Sequence, residues 1–207
     1  MKVTKPSVEI DDAAASSAAM NELDEVLDKA TLGFTKLNVL QPPHPTMSYN
    51  FGSVNNRAIH EGNVQKLLAS FIAKGKEGGK AGSEIVILVE EGWLKPGSYT
   101  RDGAKSFKQL PMAEFTDAAQ GKVIEFLCGH HRTVASERYL AWASEQHTAH
   151  LNNVLALTQP DEDGHPPALT DDDKAVLEVQ RSEVEKSQVI IDEAPFWRIR
   201  ALLAGTS

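Results

Sequence analysis

One glycine joins a short apolar segment directly to a long helical pattern, and this junction restricts the fold of the chain more than any other feature. Residues 122–128 have the composition of a strand, and Gly-His-His-Arg follows at once at 129–132. Apolar residues then recur at helical spacing over about 134–157. A strand that leads into a helix predicts an α/β (α+β) domain, a small mixed sheet with flanking helices.

The remaining chain supplies further elements. Periodicity and breaker residues predict helices over about 17–31 with Gly33 as a stop, over 60–74 with Gly75 as a stop, and from 171 onward. They predict strands over 34–40 and 84–90, and a hairpin formed by 109–115 and 122–128. Residues 91–107 are expected to form a surface loop, and 195–203 a short amphipathic helix.

This order divides the chain into three parts. Residues 1–33 are predicted to form an acidic tail and a short helix, and 34–157 the α/β domain, with an insertion at about 76–107. Residues 158–207 are predicted to add an acidic linker and C-terminal helices. The α/β domain therefore carries helical extensions at both ends.

The net charge of -8 is unevenly distributed. Residues 158–193 carry 3 basic and 11 acidic side chains, whereas 31–157 carry 13 basic and 11 acidic ones. Acidic flanks argue against wrapping DNA, but the central part permits an anion site. Without a secretory pattern or a long apolar run, we expect an intracellular protein, cytoplasmic or nuclear, with no membrane partner. The lone Cys128 excludes an internal disulfide framework.

The turn at 129–132 has the chemistry of a phosphate site. The first N–H groups of a helix have no intrahelical partner and carry partial positive charge. A glycine lets a ligand approach the backbone closely, and an arginine can hold two phosphate oxygens. We therefore predict that a nucleotide or another phosphorylated small molecule binds at Gly129, His130, His131, Arg132 and Thr133.

Each candidate residue also has a structural interpretation. Arg132 could be a surface arginine with a carboxylate partner, and the two histidines could pack the turn. Cys128 could be a buried thiol or one activated by the helix N-terminus. Glu61 at a helix start could be a dipole contact, or together with His131 a catalytic acid–base residue. His44, His60, His147 and His150 could suggest a metal, but nearby carboxylate or cysteine ligands were not identified in the sequence, so no metal-binding residue is predicted.

The order of elements resembles the ParB/sulfiredoxin superfamily over about residues 34–145. The matching parts are 37–40 before a proline turn, the helix at 64–75, Leu110-Pro111-Met112, and the run 126–135 that contains Gly-His-His-Arg. The resemblance implies a small domain whose Gly-x-x-Arg turn binds nucleotide phosphates. Members of the family are CTP-dependent DNA-partition clamps, ATP-dependent sulfinic-acid reductases or free-serine kinases.

The sequence departs from each branch of the family. Sulfiredoxins place cysteine between the glycine and the histidine, whereas here His130 holds that position and Cys128 precedes the glycine. The serine kinases share Gly-His-His-Arg but carry an aspartate before it and a Pro-His-Glu, where this chain has Cys128 and Pro43-His44-Pro45. Partition proteins carry Gly-Glu-Arg-Arg and a basic helix-turn-helix, whereas an acidic segment follows here.

The sequence therefore predicts a domain that binds ATP or CTP with Mg²⁺, with phosphoryl transfer or nucleotide hydrolysis as the compatible reactions. The alternative is a non-catalytic protein-interaction module that retains the fold. In that alternative a protein partner would contact the acidic segment 158–187 and the aromatic pair Phe196 and Trp197.

Overall fold

The structure, a computed structural model, describes residues 25–52, 58–76, 79–80 and 83–205. Within these ranges the chain forms a mixed α/β fold with one five-stranded sheet. The strands are β1 (Thr31–Asn38), β2 (Ser48–Asn50), β3 (Ile85–Val89), β4 (Val123–Phe126) and β5 (Phe196–Leu203). The helices are α1 (Glu61–Lys74), α2 (His130–Thr158) and α3 (Asp171–Glu193), and residues 25–30 are also helical.

The strand order in the sheet is β1-β5-β3-β4-β2. The outer pairs are β1 with β5, which are antiparallel, and β4 with β2, which are parallel. In the centre β3 runs parallel to β5 and antiparallel to β4. The last strand in sequence therefore lies beside the third, and residues on both sides of the predicted boundary at 157 build one sheet.

The two faces of the sheet pack against different parts of the chain, and successive residues of β5 point to opposite faces. Trp197 faces the helices, because its indole N–H donates to Ser136 of α2 at 2.8 Å and its ring lies 6.2 Å from that of Phe71 of α1. Arg198 faces the other side, where its guanidinium donates to the carbonyls of Gly103 and Lys105. A strand buried on both faces is typical of the centre of a sheet.

The three helices form where the spacing of apolar residues predicts them, and they pack through aromatic and polar contacts. Phe71 of α1 meets Tyr139 of α2 edge to face, with ring centroids 5.7 Å apart. The second half of α2 pairs with α3 through His147, which lies 3.1 Å from the hydroxyl of Ser187. Thr170 caps α3, and its side chain accepts from the Asp173 N–H. The predicted helices at 60–74, 130–157 and from 171 onward are confirmed.

Three local predictions are wrong. Residues 196–203 form β5 and not a helix, and 109–115 form no strand that pairs with β4, only single bridges such as Lys36 with Met112. Gly33 lies inside β1 and does not end a helix: a Cβ there would be 2.8 Å from the carbonyl oxygen of Thr100. Of the helix predicted over 17–31, residues 17–24 lie outside the described residues.

The segment predicted as a surface loop is partly buried. Residues 91–107 contain no strand or α-helix, as expected, but Trp93 and Leu94 belong to the core. Among the described residues, no helix combines the length and the apolar character that a membrane crossing requires.

Candidate functional site

Gly129 joins β4 to α2 in a conformation that favours glycine. Its φ is +98°, in the left-handed region, and a Cβ at this position would lie 2.7 Å from Cγ1 of Ile85. Both the backbone and the packing against β3 therefore require glycine here. The first residues of α2 begin directly after this turn, and no side chain caps the helix at Gly129.

Arg132 is held in place by partners on both sides of its guanidinium. Its Nη1 donates to the carbonyl oxygens of Ser83 at 3.0 Å and Glu84 at 3.2 Å. Its guanidinium also lies over the Trp197 ring, 5.9 Å from the ring centroid. The partner that a cation at a helix N-terminus requires is thus supplied by carbonyl oxygens.

A cavity of about 580 Å³ opens beside this turn, and we call it the cationic lobe. Lys66 and Asn63 of α1 and Arg132 and His131 of α2 line it, together with Glu84. Asn63, Lys66 and Leu67 are spaced i, i+3, i+4, so a single face of α1 forms this wall. Two cationic side chains therefore face a cavity at the N-terminus of a helix.

A second cavity of about 390 Å³ is also lined by His131, and we call it the aromatic lobe. Phe51, Phe126 and His130 line it, as do Ala58 and His60. The two lobes share the lining residues Asn63, Cys128, Gly129 and His131. They are therefore adjacent at the predicted turn, and we call the two lobes together the cleft.

The two histidines of the turn have different surroundings. Nε2 of His131 accepts the backbone N–H of His60 at 2.8 Å, which ties the start of α1 to the start of α2. His130 stacks on Phe51, with ring centroids 4.9 Å apart and an interplanar angle of 17°. Burial, and secondly the neighbouring His131, lower the pKa of His130. The His130 ring is therefore neutral near pH 7.

Glu61, predicted as a catalytic acid–base residue, is bound to other side chains outside the two lobes. It forms a two-point ion pair with Arg138 and accepts from the side-chain amide of Gln65 at 2.7 Å. These hydrogen bonds, that of Arg138 first, lower the pKa of Glu61 to about 2. Glu61 lines neither lobe, so the structure does not bring it together with His131.

The other two predicted residues, Cys128 and Thr133, differ in whether they line the lobes. Cys128 lines both lobes, and its sulfur accepts the backbone N–H of Val86 at 3.3 Å. Thr133 is 9 % exposed and lines neither lobe. Its hydroxyl oxygen is the only buried side-chain N or O atom without a partner in the described part of the chain. The structure therefore places the predicted binding residue Thr133 outside both lobes.

The described residues contain no cluster of three or more histidine, cysteine, aspartate or glutamate side chains that could hold a metal ion. Mg²⁺ in nucleotide sites is commonly coordinated by the phosphates of the ligand. Its binding to this protein remains a prediction.

Several residues of the cleft were not predicted. Lys66 and Asn63 lie on the polar face of an ordinary amphipathic helix, where nothing in the sequence distinguishes them from solvated residues. Phe51 follows β2, a three-residue strand that was not predicted. The partner prediction was wrong about Trp197, which is 2 % exposed and hydrogen-bonded inside the fold. The acidic segment 158–187 remains a predicted partner site.

Comparisons with known proteins do not name a family. No family model matches the chain, and neither a curated protein nor a solved structure matches it. The resemblance to the ParB/sulfiredoxin superfamily therefore remains a prediction from the sequence.

Proposed function

We propose that this protein binds a nucleotide, with the phosphates in the cationic lobe at the N-terminus of α2. The observation that carries the proposal is the convergence of Lys66, Arg132 and the first turn of α2 on one cavity. Unpaired N–H groups at a helix N-terminus are ready donors to an anion, and the helix dipole favours negative charge. The two side chains add full positive charges from two different helices.

The rigidity of Arg132 supports the proposal. Its Nη1 is committed to the carbonyls of Ser83 and Glu84, and the Trp197 ring lies beneath the guanidinium. An arginine has five N–H donors, so further donors on Nε and Nη2 serve a phosphate. A side chain that is already ordered loses little conformational entropy when a ligand binds.

The proposal is restricted to binding. His131 lines the lobe, but its Nε2 is bonded to His60, and Glu61 is paired with Arg138. Phosphoryl transfer or nucleotide hydrolysis therefore has no positioned acid–base pair among the two predicted residues. ATP or CTP is the expected ligand because the sequence resembles a nucleotide-binding family.

Lys66→Met is expected to weaken ADP binding by about ten- to a hundredfold, because it removes one charge-assisted contact to phosphate. The substitution keeps the length of the side chain, and Lys66 is exposed, so the fold is retained. Isothermal titration calorimetry at low salt measures the effect. Arg132 is less suitable for this test, since its loss would also release the carbonyls of Ser83 and Glu84.

The matched control is Lys74→Met, an exposed lysine in the last turn of the same helix and outside the cleft. It is expected to bind ADP as the wild type does. Equal affinity of the wild type and Lys66→Met, or no binding by the wild type, would contradict the proposal.

A further inference from the structure

We infer that the aromatic lobe binds the planar ring of the ligand, so that the protein recognises nucleoside phosphates in preference to phosphates without a base. This inference rests on the proposed function and assigns the second half of the cleft. It names Phe51, with His130, as the side chains that recognise the ring. Neither Phe51 nor its lobe is needed for binding of phosphate itself.

The adjacency of the two lobes carries the first step. Asn63, Cys128, Gly129 and His131 line both cavities, so a ligand with phosphates beside Lys66 extends past the Gly129 turn into the second lobe. The lining changes along this path from cationic to aromatic. A ligand that is charged at one end and flat and weakly polar at the other matches both ends.

The arrangement of the aromatic rings carries the second step. The Phe51 ring contacts two others: its centroid is 4.3 Å from that of Phe126 and 4.9 Å from that of His130. Tyr49 packs edge to face on Phe126, with ring centroids 4.9 Å apart. The four rings thus form one cluster at β2 and the residue after it, at β4 and at the start of α2.

The neutral state of His130 is compatible with this role. Burial and the neighbouring His131 lower the pKa of His130, so at pH 7 it presents an uncharged aromatic surface. The phosphates are then held by Lys66 and Arg132, and the histidine contributes stacking. Because every base has a π-face, stacking of this kind is tolerant of base identity. We expect purine and pyrimidine nucleotides to bind with affinities within about tenfold of each other.

The experiment compares ADP, CDP and inorganic pyrophosphate by calorimetry with the wild type, Phe51→Leu and Phe51→Tyr. In the wild type both nucleotides are expected to bind at least about tenfold more tightly than pyrophosphate. Phe51→Leu is expected to weaken nucleotide binding by about 5- to 100-fold and to leave pyrophosphate binding within about twofold. Phe51→Tyr keeps the ring and is expected to retain wild-type affinities.

The comparison of ligands in the wild type needs no variant, so it decides the inference even if Phe51→Leu fails to fold. Equal affinity of the wild type for ADP and pyrophosphate would overturn the ring site and leave the phosphate site standing. Equal weakening of ADP and pyrophosphate by Phe51→Leu would also overturn it. If the wild type binds none of the three ligands, the proposed function itself fails.

Discussion

Arg198→Met is expected to lower the free energy of unfolding by about 3–5 kcal/mol, the usual cost of removing one partner of a buried ion pair. Arg198 is 1 % exposed, and its Nε donates to Oε1 of Glu84 at 2.9 Å. Its other nitrogens donate to the carbonyls of Gly103 and Lys105. Methionine fills similar space but leaves a poorly solvated carboxylate and two carbonyls without these donors.

The control for this measurement is Arg200→Met on the same strand. Arg200 pairs with Asp28, whose side chain is largely exposed, and such pairs contribute about 1 kcal/mol or less. Urea denaturation of both variants compares the two sites directly. If Arg198→Met were no less stable than Arg200→Met, the buried pair would not hold the 103–105 segment to the sheet.

The wild-type protein is expected to become more stable as the pH rises from about 7 to about 9.5, by up to about 1.4 kcal/mol per pH unit. Burial lowers the pKa of Lys76 to about 7, against about 10.4 in an unfolded chain. In this window the unfolded state therefore binds more protons than the folded state, and raising the pH favours folding. Below about pH 7 both states are protonated, and this increase is absent.

The contacts of Lys76 explain why a lysine occupies this partly buried position. Its Nζ lies beyond the C-terminus of α3, where it donates to the carbonyls of Ala194 and, at 2.6 Å, of Phe196. It also lies 4.7 Å from the centroid of the Trp197 ring. The pH range ends below the ordinary pKa of tyrosine. Burial raises the pKa of Tyr49, so at higher pH the folded state would bind more protons than the unfolded state, and stability would fall as the pH rises.

Lys76→Met is expected to lose the increase in stability between pH 7 and about 9.5, since it removes the titrating group. Lys74→Met, two residues earlier and exposed, is expected to keep it. Urea midpoints measured across this range give the two slopes. An unchanged slope in Lys76→Met would show that another group causes the pH dependence.

The helices were predictable because local signals agree with the tertiary structure. In α1, Val64 and Phe71 lie on a buried face that is separate from the polar residues. Gly75 ends the helix with a positive φ. In α3, the Thr170 capping box and the acidic first turn mark the start. These features depend on residues within a few positions of one another.

The strands were harder to predict, since their partners are distant in sequence. In β5, Trp197, Ile199 and Ala201 alternate with two arginines, which is a strand spacing. The same residues also fit a short amphipathic helix, and the pairing of β5 with β1 and β3, both distant in sequence, decides between them. The predicted hairpin failed for a related reason: β4 pairs with β3, from which the long segment 90–122 separates it, and with β2, which lies earlier still.

The candidate site was predictable only in its central turn. Glycine between a strand and a helix identified Gly129 and the start of α2, because that signal is local. Lys66 and Phe51 reach the cleft from α1 and from the end of β2, and their contribution depends on how these elements pack. Glu61 at the start of α1 could be a dipole contact or a catalytic residue by its sequence position, and its partner Arg138 lies far along the chain.

The most direct test of the phosphate site is a titration of the ¹⁵N-labelled protein with inorganic pyrophosphate, followed by amide chemical shifts. Anions at a helix N-terminus accept hydrogen bonds from the first backbone N–H groups. We predict that the largest shift changes occur at residues 130–132, because the N–H of Thr133 already donates to the carbonyl of Gly129, with smaller changes near Lys66. Saturable changes confined to other parts of the chain, or none at all, would contradict the account.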